Sequence, residues 1–143
     1  MEIFVTQSPD ETVALGMRIA RSLSAGDVVG FFGELGAGKT TLIKGIAVGL
    51  GVAEVVKSPS FVLITQYRGR LPVYHIDLYR LERPSDFMEL ELEEYFYSDG
   101  VCLVEWAERI AGFLPGSATK IALEVKSATE RKISIDSRKP IGD

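Results

Sequence analysis

Asparagine is absent from this 143-residue chain, and cysteine, histidine and tryptophan occur once each, as Cys102, His75 and Trp106. A lone cysteine cannot build an internal disulfide framework, which excludes a disulfide-stapled secreted scaffold. No apolar run approaches the roughly 20 residues that cross a bilayer. The opening residues, MEIFVTQSPDE, lack a basic stretch followed by an apolar one, so no secretory leader is expected. A basic balance is also missing: 16 Lys and Arg stand against 20 Asp and Glu, a net charge of −4. No basic cluster exceeds a pair such as Arg131-Lys132. Direct, tight grip on nucleic acid needs a basic patch or stripe and is not expected. Delivery of nucleic acid by a partner stays open. Repeats, low-complexity tracts and long linkers are lacking. The length suits a single domain, residues 1–143, able to bury its own core. A cytoplasmic location, with no membrane contact, is the expectation.

Periodicity supplies the elements. Ile3 to Thr6 reads as a short strand. Ser8, Pro9 and Glu11 then have the order of an N-cap, a first helical residue and a capping-box partner. Val13, Met17, Ala20 and Leu23 follow at helical spacing, and Ala25-Gly26-Asp27 ends that helix. Val28 to Phe32 is a continuous apolar run, as in a parallel strand buried on both faces. A second helix starts near Thr40, with Leu42, Ile43, Ile46, Ala47 and Leu50 as its apolar stripe and Gly49 and Gly51 suited to its end. Phe61 to Tyr67 and Val73 to Tyr79 read as a hairpin across Arg68-Gly69-Arg70-Leu71-Pro72. Ser85 to Tyr97 is helical in one or two pieces, Val101 to Val104 is a buried strand, and Trp106 to Phe113 is a short helix. Ile121 to Val125 and Ile133 to Ile135 close the chain as strands. The fold class is α/β: a mixed parallel and antiparallel sheet with helices on its faces.

Between the second strand and second helix lies GELGAGKTT, residues 33 to 41. Gly33, Gly38, Lys39 and Thr40 satisfy G-x-x-x-x-G-K-T in the strand–loop–helix setting that makes the pattern specific. Glycines let the backbone wrap phosphates closely. Successive amides and the helix N-terminus face the anion. Lys39 adds a point charge, and the Thr40 hydroxyl can ligate Mg²⁺. This is the phosphate loop of a P-loop nucleoside-triphosphate-binding protein.

Such sites also need an acid near the metal, commonly after an apolar strand. Glu105 ends Val101-Cys102-Leu103-Val104, and Asp77 ends Val73-Tyr74-His75-Ile76. Glu105 is assigned to the metal, directly or through water, and Asp77 to positioning water or supporting the metal's shell; the two roles are exchangeable. His75 shares a face with Asp77 by strand alternation but reads first as structural. Cys102 reads as packing. Trp106 is either core or a platform for a base or partner. Ser58-Pro59-Ser60-Phe61 is a candidate γ-phosphate switch, though such a sequence is commonly a plain turn.

GELGAGKTT, SPSF, HIDLYR and VEWAE in that order resemble the TsaE family, formerly YjeE, whose small ATPases serve tRNA threonylcarbamoyladenosine formation. The likeness runs from near Pro9 to Arg131. It implies that Gly36, Ala37, Gly38, Lys39, Thr40 and Thr41 hold the phosphates of ATP or ADP, that Thr40 and Glu105 serve Mg²⁺, and that Asp77 is needed for activity. Lys39, Asp77 and Glu105 are the implied catalytic set. Ser58 and Ser60 fall in the family's switch-like loop, with Ser60 where threonine is common. Glu11 and Arg131 would flank the base or ribose. The implied partners are the TsaD and TsaB proteins, with tRNA engaged only through them, and hydrolysis is expected to be slow until they stimulate it. Glu89, Glu91, Glu93 and Glu94 either meet a basic partner or form a solvated face. A small P-loop kinase is the enzyme alternative, but the chain has little room for a substrate insert and an arginine-bearing lid. A GTPase is disfavoured because the guanine-reading Asn-Lys-x-Asp motif is impossible without asparagine. A non-catalytic nucleotide-sensing adaptor stays open; Arg80 and Arg109 are the candidate arginine fingers.

Overall fold

The computed structural model describes residues 1–34, 36–54, 56 and 64–142. In chain order these form β1 (Glu2–Thr6), α1 (Pro9–Ala20), β2 (Val28–Phe32), α2 (Lys39–Gly49), β3 (Ile64–Arg68), β4 (Pro72–Asp77), α3 (Pro84–Glu89), a 3₁₀ segment (Leu92–Tyr97), β5 (Val101–Glu105), a second 3₁₀ segment (Ala107–Phe113), β6 (Thr119–Val125) and β7 (Arg131–Asp136). The strands make one seven-stranded sheet in the order β1-β7-β6-β2-β5-β4-β3. Its centre is parallel, β2 pairing with β5 and β6 and β4 with β5. Its margins are antiparallel: β6–β7–β1 on one side and the β3–β4 hairpin on the other. The mixed sheet expected from the sequence is therefore present. Phe61 to Leu63, the start expected for β3, lie outside the described residues.

Two apolar layers flank the sheet. Val29 and Phe31 of β2, Val101 and Leu103 of β5, and Ile121 and Leu123 of β6 pack with α1 and α2. The alternate residues Val28, Cys102, Val104 and Ile76 pack with Phe87 of α3, Leu92, Phe96, Ala107 and Ile110. This is the period of two expected of strands covered on both faces. Burial pushes the Cys102 thiol far up from its ordinary value, so it packs as a small apolar side chain.

Ser8 caps α1, its hydroxyl accepting from the Glu11 amide at 3.2 Å. The Glu11 carboxylate returns to the Gln7 amide at 2.8 Å, one residue earlier than the usual capping box. The buried stripe of α1 is Thr12, Leu15, Gly16, Ile19 and Ala20, whereas Val13 is only half-buried and Met17 is exposed. The expected stripe is rotated because α1 meets α2 through glycine. A Cβ on Gly45 would strike the Val13 carbonyl, and one on Gly16 the Leu42 carbonyl.

The parallel register brings three strand ends together. Phe31 and Asp77 both lie beside Glu105, and the Leu78 amide donates to the Glu105 carbonyl at 3.2 Å. The chain leaves β2 through Gly33 at φ +144°, where a Cβ would meet the Leu123 carbonyl. It enters α2 through Gly38, the N-cap, at φ +97°. Both conformations favour glycine.

Candidate active site

The first turn of α2 faces the ends of β4 and β5. Lys39 is only 5% exposed. Its Nζ donates to the Gly33 carbonyl and lies 3.3 Å from the centre of the Trp106 ring. Burial lowers its pKa, a pull opposed by the nearby carboxylates of Glu108, Glu105 and Asp77. The next residue, Thr40, donates from Oγ1 to Glu105 Oε1 at 3.2 Å. Glu105 is 3% exposed, and its second oxygen lies 2.6 Å from Nε2 of the fully buried His75. When Glu105 is ionised its oxygen accepts and Nε2 is the donor. Nδ1 of the same ring has no partner among the described residues.

Asp77 is half-buried beside this group, with Oδ1 accepting from the Tyr79 amide at 3.0 Å. Burial raises its carboxyl pKa and the Glu105 charge adds to the rise; the Tyr79 amide, His75 and Lys39 oppose it. Trp106 takes φ +58°, uncommon for a bulky residue, as the chain turns from β5 into the second 3₁₀ segment. Its ring packs against Tyr79 at 5.1 Å and covers Lys39. Trp106 is thus partly buried, packing against the core layer on one side and covering Lys39 on the other.

Hydrogen bonds lace the flanks together. Arg131 donates to the Ser127 and Glu130 carbonyls at 2.9 and 3.1 Å and reaches the Gly36 carbonyl at 3.4 Å. Gln7 Nε2 donates to Glu130 Oε1 at 2.9 Å, tying the start of α1 to the final turn. Glu11 is exposed there and engaged in its cap. Ala37 is buried, with its amide donating to the Glu34 carbonyl at 3.1 Å, and Thr41 is half-buried in the first turn of α2. Ser58 and Ser60 lie outside the described residues. Arg109 is committed to the Leu81 carbonyl at 3.0 Å. Glu89, Glu91 and Glu94 are exposed on the far layer.

One neighbour of the loop, Glu108, goes unmarked in the sequence. Glu108 Oε2 accepts from the Gly33 amide at 3.3 Å, bracing the entry to the loop; its signal was its place three residues after Glu105. His75, read first as structural, touches Glu105; strand alternation had placed it on the face of Asp77. For a metal, the described residues contain no cluster of three or more His, Cys, Asp or Glu side chains. They do bring together two hard oxygens, Thr40 Oγ1 and Glu105 Oε1. Mg²⁺ keeps several waters and takes few protein oxygens beside substrate phosphates, so this donor set fits it.

The parallel centre, the glycine-framed loop and the α2 N-terminus together define an α/β protein of the P-loop class. The profile described as threonylcarbamoyl adenosine biosynthesis protein TsaE matches residues 6–133. A protein from Treponema pallidum named tRNA threonylcarbamoyladenosine biosynthesis protein TsaE is 42% identical over 131 residues, covering 92% of this chain and 97% of that one. Its namesake from Bacillus subtilis is 45% identical over 130 residues, covering 90% and 81%. The crystal structure of Bacillus subtilis YdiB superposes with a TM-score of 0.81 at 39% identity, over 99% of this chain and 86% of that one. The chain belongs to the TsaE family. Among the described residues no helix is long and apolar enough to cross a membrane.

Proposed function

We propose that this chain is a cytoplasmic, Mg²⁺-dependent ATPase of tRNA threonylcarbamoyladenosine biosynthesis, acting on a TsaD–TsaB assembly rather than on tRNA directly. The names of its relatives support the pathway. The observation that carries the chemistry is the approach of Thr40 to Glu105 beside a buried Lys39. Amides at the α2 N-terminus receive the phosphates. Lys39 exchanges the Gly33 carbonyl and Trp106 ring for phosphate oxygens. Thr40 and Glu105 would hold Mg²⁺, which neutralises charge on the β- and γ-phosphates. Asp77 orients the attacking water or supports the metal's water shell. Arg131 and Glu11 border the nucleotide beyond the loop. The net charge of −4 suits a protein that leaves tRNA to its partners.

Phosphate release from ATP, measured with and without TsaD–TsaB and tRNA, tests this reading. Slow turnover alone and faster turnover with the assembly are expected. Glu105→Ala should lose Mg²⁺-dependent hydrolysis while retaining most nucleotide affinity. Equal hydrolysis by Glu105→Ala and the wild type would refute the metal role. Tight ATP binding without turnover, even with the assembly present, would favour a nucleotide-sensing adaptor.

A further inference from the structure

Strand β4 places a histidine where its pattern calls for an apolar residue. His75 is fully buried, and Val73 and Ile76 of the same strand serve the core. Burying an imidazole costs free energy unless its polar atoms are used. One of them is used closely: Nε2 lies 2.6 Å from Glu105 Oε2. The other, Nδ1, has no partner among the described residues, so within them the Glu105 contact is what accounts for the ring's polar side. The contact follows from register. His75 pairs with Leu103 and Asp77 with Glu105, so the ring lies two residues before Asp77 on the same face and reaches Glu105 diagonally across the strands. Glu105 is thereby held at both oxygens, by His75 at Oε2 and by Thr40 at Oε1.

We propose that His75 is a positioning residue, which fixes the Glu105 carboxylate so that Oε1 faces Thr40 and the metal-binding side of the phosphate loop. The inference rests on the Mg²⁺-nucleotide reading above. Removing the ring leaves Oε2 a buried acceptor without its donor, and the carboxylate turns to find another. Groups that orient a metal ligand typically change metal affinity about 10–100-fold when lost.

Two variants separate orientation from packing. His75→Phe keeps a ring of similar shape without a donor, and His75→Gln keeps a donor near the position of Nε2. The readout is Mn²⁺ affinity of the full chain with a non-hydrolysable ATP analogue, followed by electron paramagnetic resonance, together with the thermal unfolding transition. Expected are a loss of about tenfold in Mn²⁺ affinity for His75→Phe and a change below about threefold for His75→Gln. Unchanged affinity in His75→Phe would overturn the proposal. So would an equal loss in a cooperatively folded His75→Gln, which decides the matter alone should His75→Phe not fold. A wild type that binds the analogue without binding Mn²⁺ would overturn the Mg²⁺ reading as well; a metal-binding wild type with an indifferent His75→Phe overturns only the positioning role.

Discussion

The two faces of the sheet are covered in different ways. On one, α1 and α2 are regular helices of 12 and 11 residues that cross through Gly16, Gly45 and Gly49 with almost no space between their backbones. On the other, six-residue α3 and two 3₁₀ segments lie over the sheet, filled in by aromatic contacts such as Phe87–Phe96 at 5.3 Å. The helical face presents the phosphate loop on a stiff base. The irregular face supplies what stands over the loop: Trp106 and Glu108 both follow β5 on the way into the second 3₁₀ segment. One side carries the first turn of α2, and the other carries Trp106 and Glu108, which reach Lys39 and the Gly33 amide.

The largest effect on folding stability should come from breaking the closely packed side. Alanine in place of a helical glycine ordinarily gains about 1 kcal/mol in propensity. At Gly45 the new methyl would sit against the Val13 carbonyl, and backbone cannot rotate aside as a side chain can. Overpacking costs about 1–3 kcal/mol and more where backbone must move. Gly45→Ala is therefore expected to destabilise by about 2 kcal/mol in urea titration. Gly112, in the second 3₁₀ segment, has open space around it. Gly112→Ala should stay within about 0.5 kcal/mol of the wild type. Equal sensitivity at both positions would erase the contrast between the faces.

The largest effect on nucleotide binding is expected at Lys39, where the faces meet. Lys39→Ala should weaken ATP binding about a hundredfold, close to 2.7 kcal/mol, by calorimetric titration. The unliganded protein should not lose stability in proportion, because burial already disfavours this ammonium. A stability loss as large as the affinity loss would make Lys39 structural. Trp106 sharpens the point at smaller scale. A cation over an indole face is worth about 1–2 kcal/mol when, like Lys39, it is largely desolvated. With Trp106→Leu the lysine has less to leave behind, and ATP affinity should rise a few-fold. A fall would mean that the ring serves the nucleotide itself.

Legibility in the sequence followed the same division. β2, the phosphate loop and the α2 stripe were readable because local rules coincide there: an apolar run, then glycines, then a period of 3.6. The α1 stripe differs by one step from the expectation, since Val13 and Met17 look apolar while the buried positions include Gly16 and Thr12. Close backbone approach leaves no hydropathy signal. Asp77 and Glu105 were found as acids at strand ends, but their adjacency depends on the parallel β4–β5 register, a long-range property. The His75–Glu105 contact and the Gly33–Glu108 brace depend on it too. The 3₁₀ character after Trp106 was read as a plain helix, because the left-handed turn at Trp106 has no composition cue such as glycine.

The smallest expected effect lies at Asp77, and its sign is informative. Its carboxyl is raised above the ordinary value chiefly by burial and then by the Glu105 charge. A group whose pKa is higher folded than unfolded contributes stability at low pH and loses it as pH rises through the folded pKa. Asn never ionises, and its side-chain oxygen can still accept from the Tyr79 amide, which Asp77 Oδ1 now does at 3.0 Å. Asp77→Asn and wild type should therefore unfold alike below the model-compound value of 3.8. The variant should be the more stable at pH 7. Asp77 is half-exposed, so solvent screening keeps the gain small; a rise of about 1–2 °C in Tm is the scale. An acid placed for packing would instead lose stability when neutralised. A gain that grows with pH marks a charge the fold tolerates against its own stability, as expected of a group retained for chemistry beside the phosphate loop.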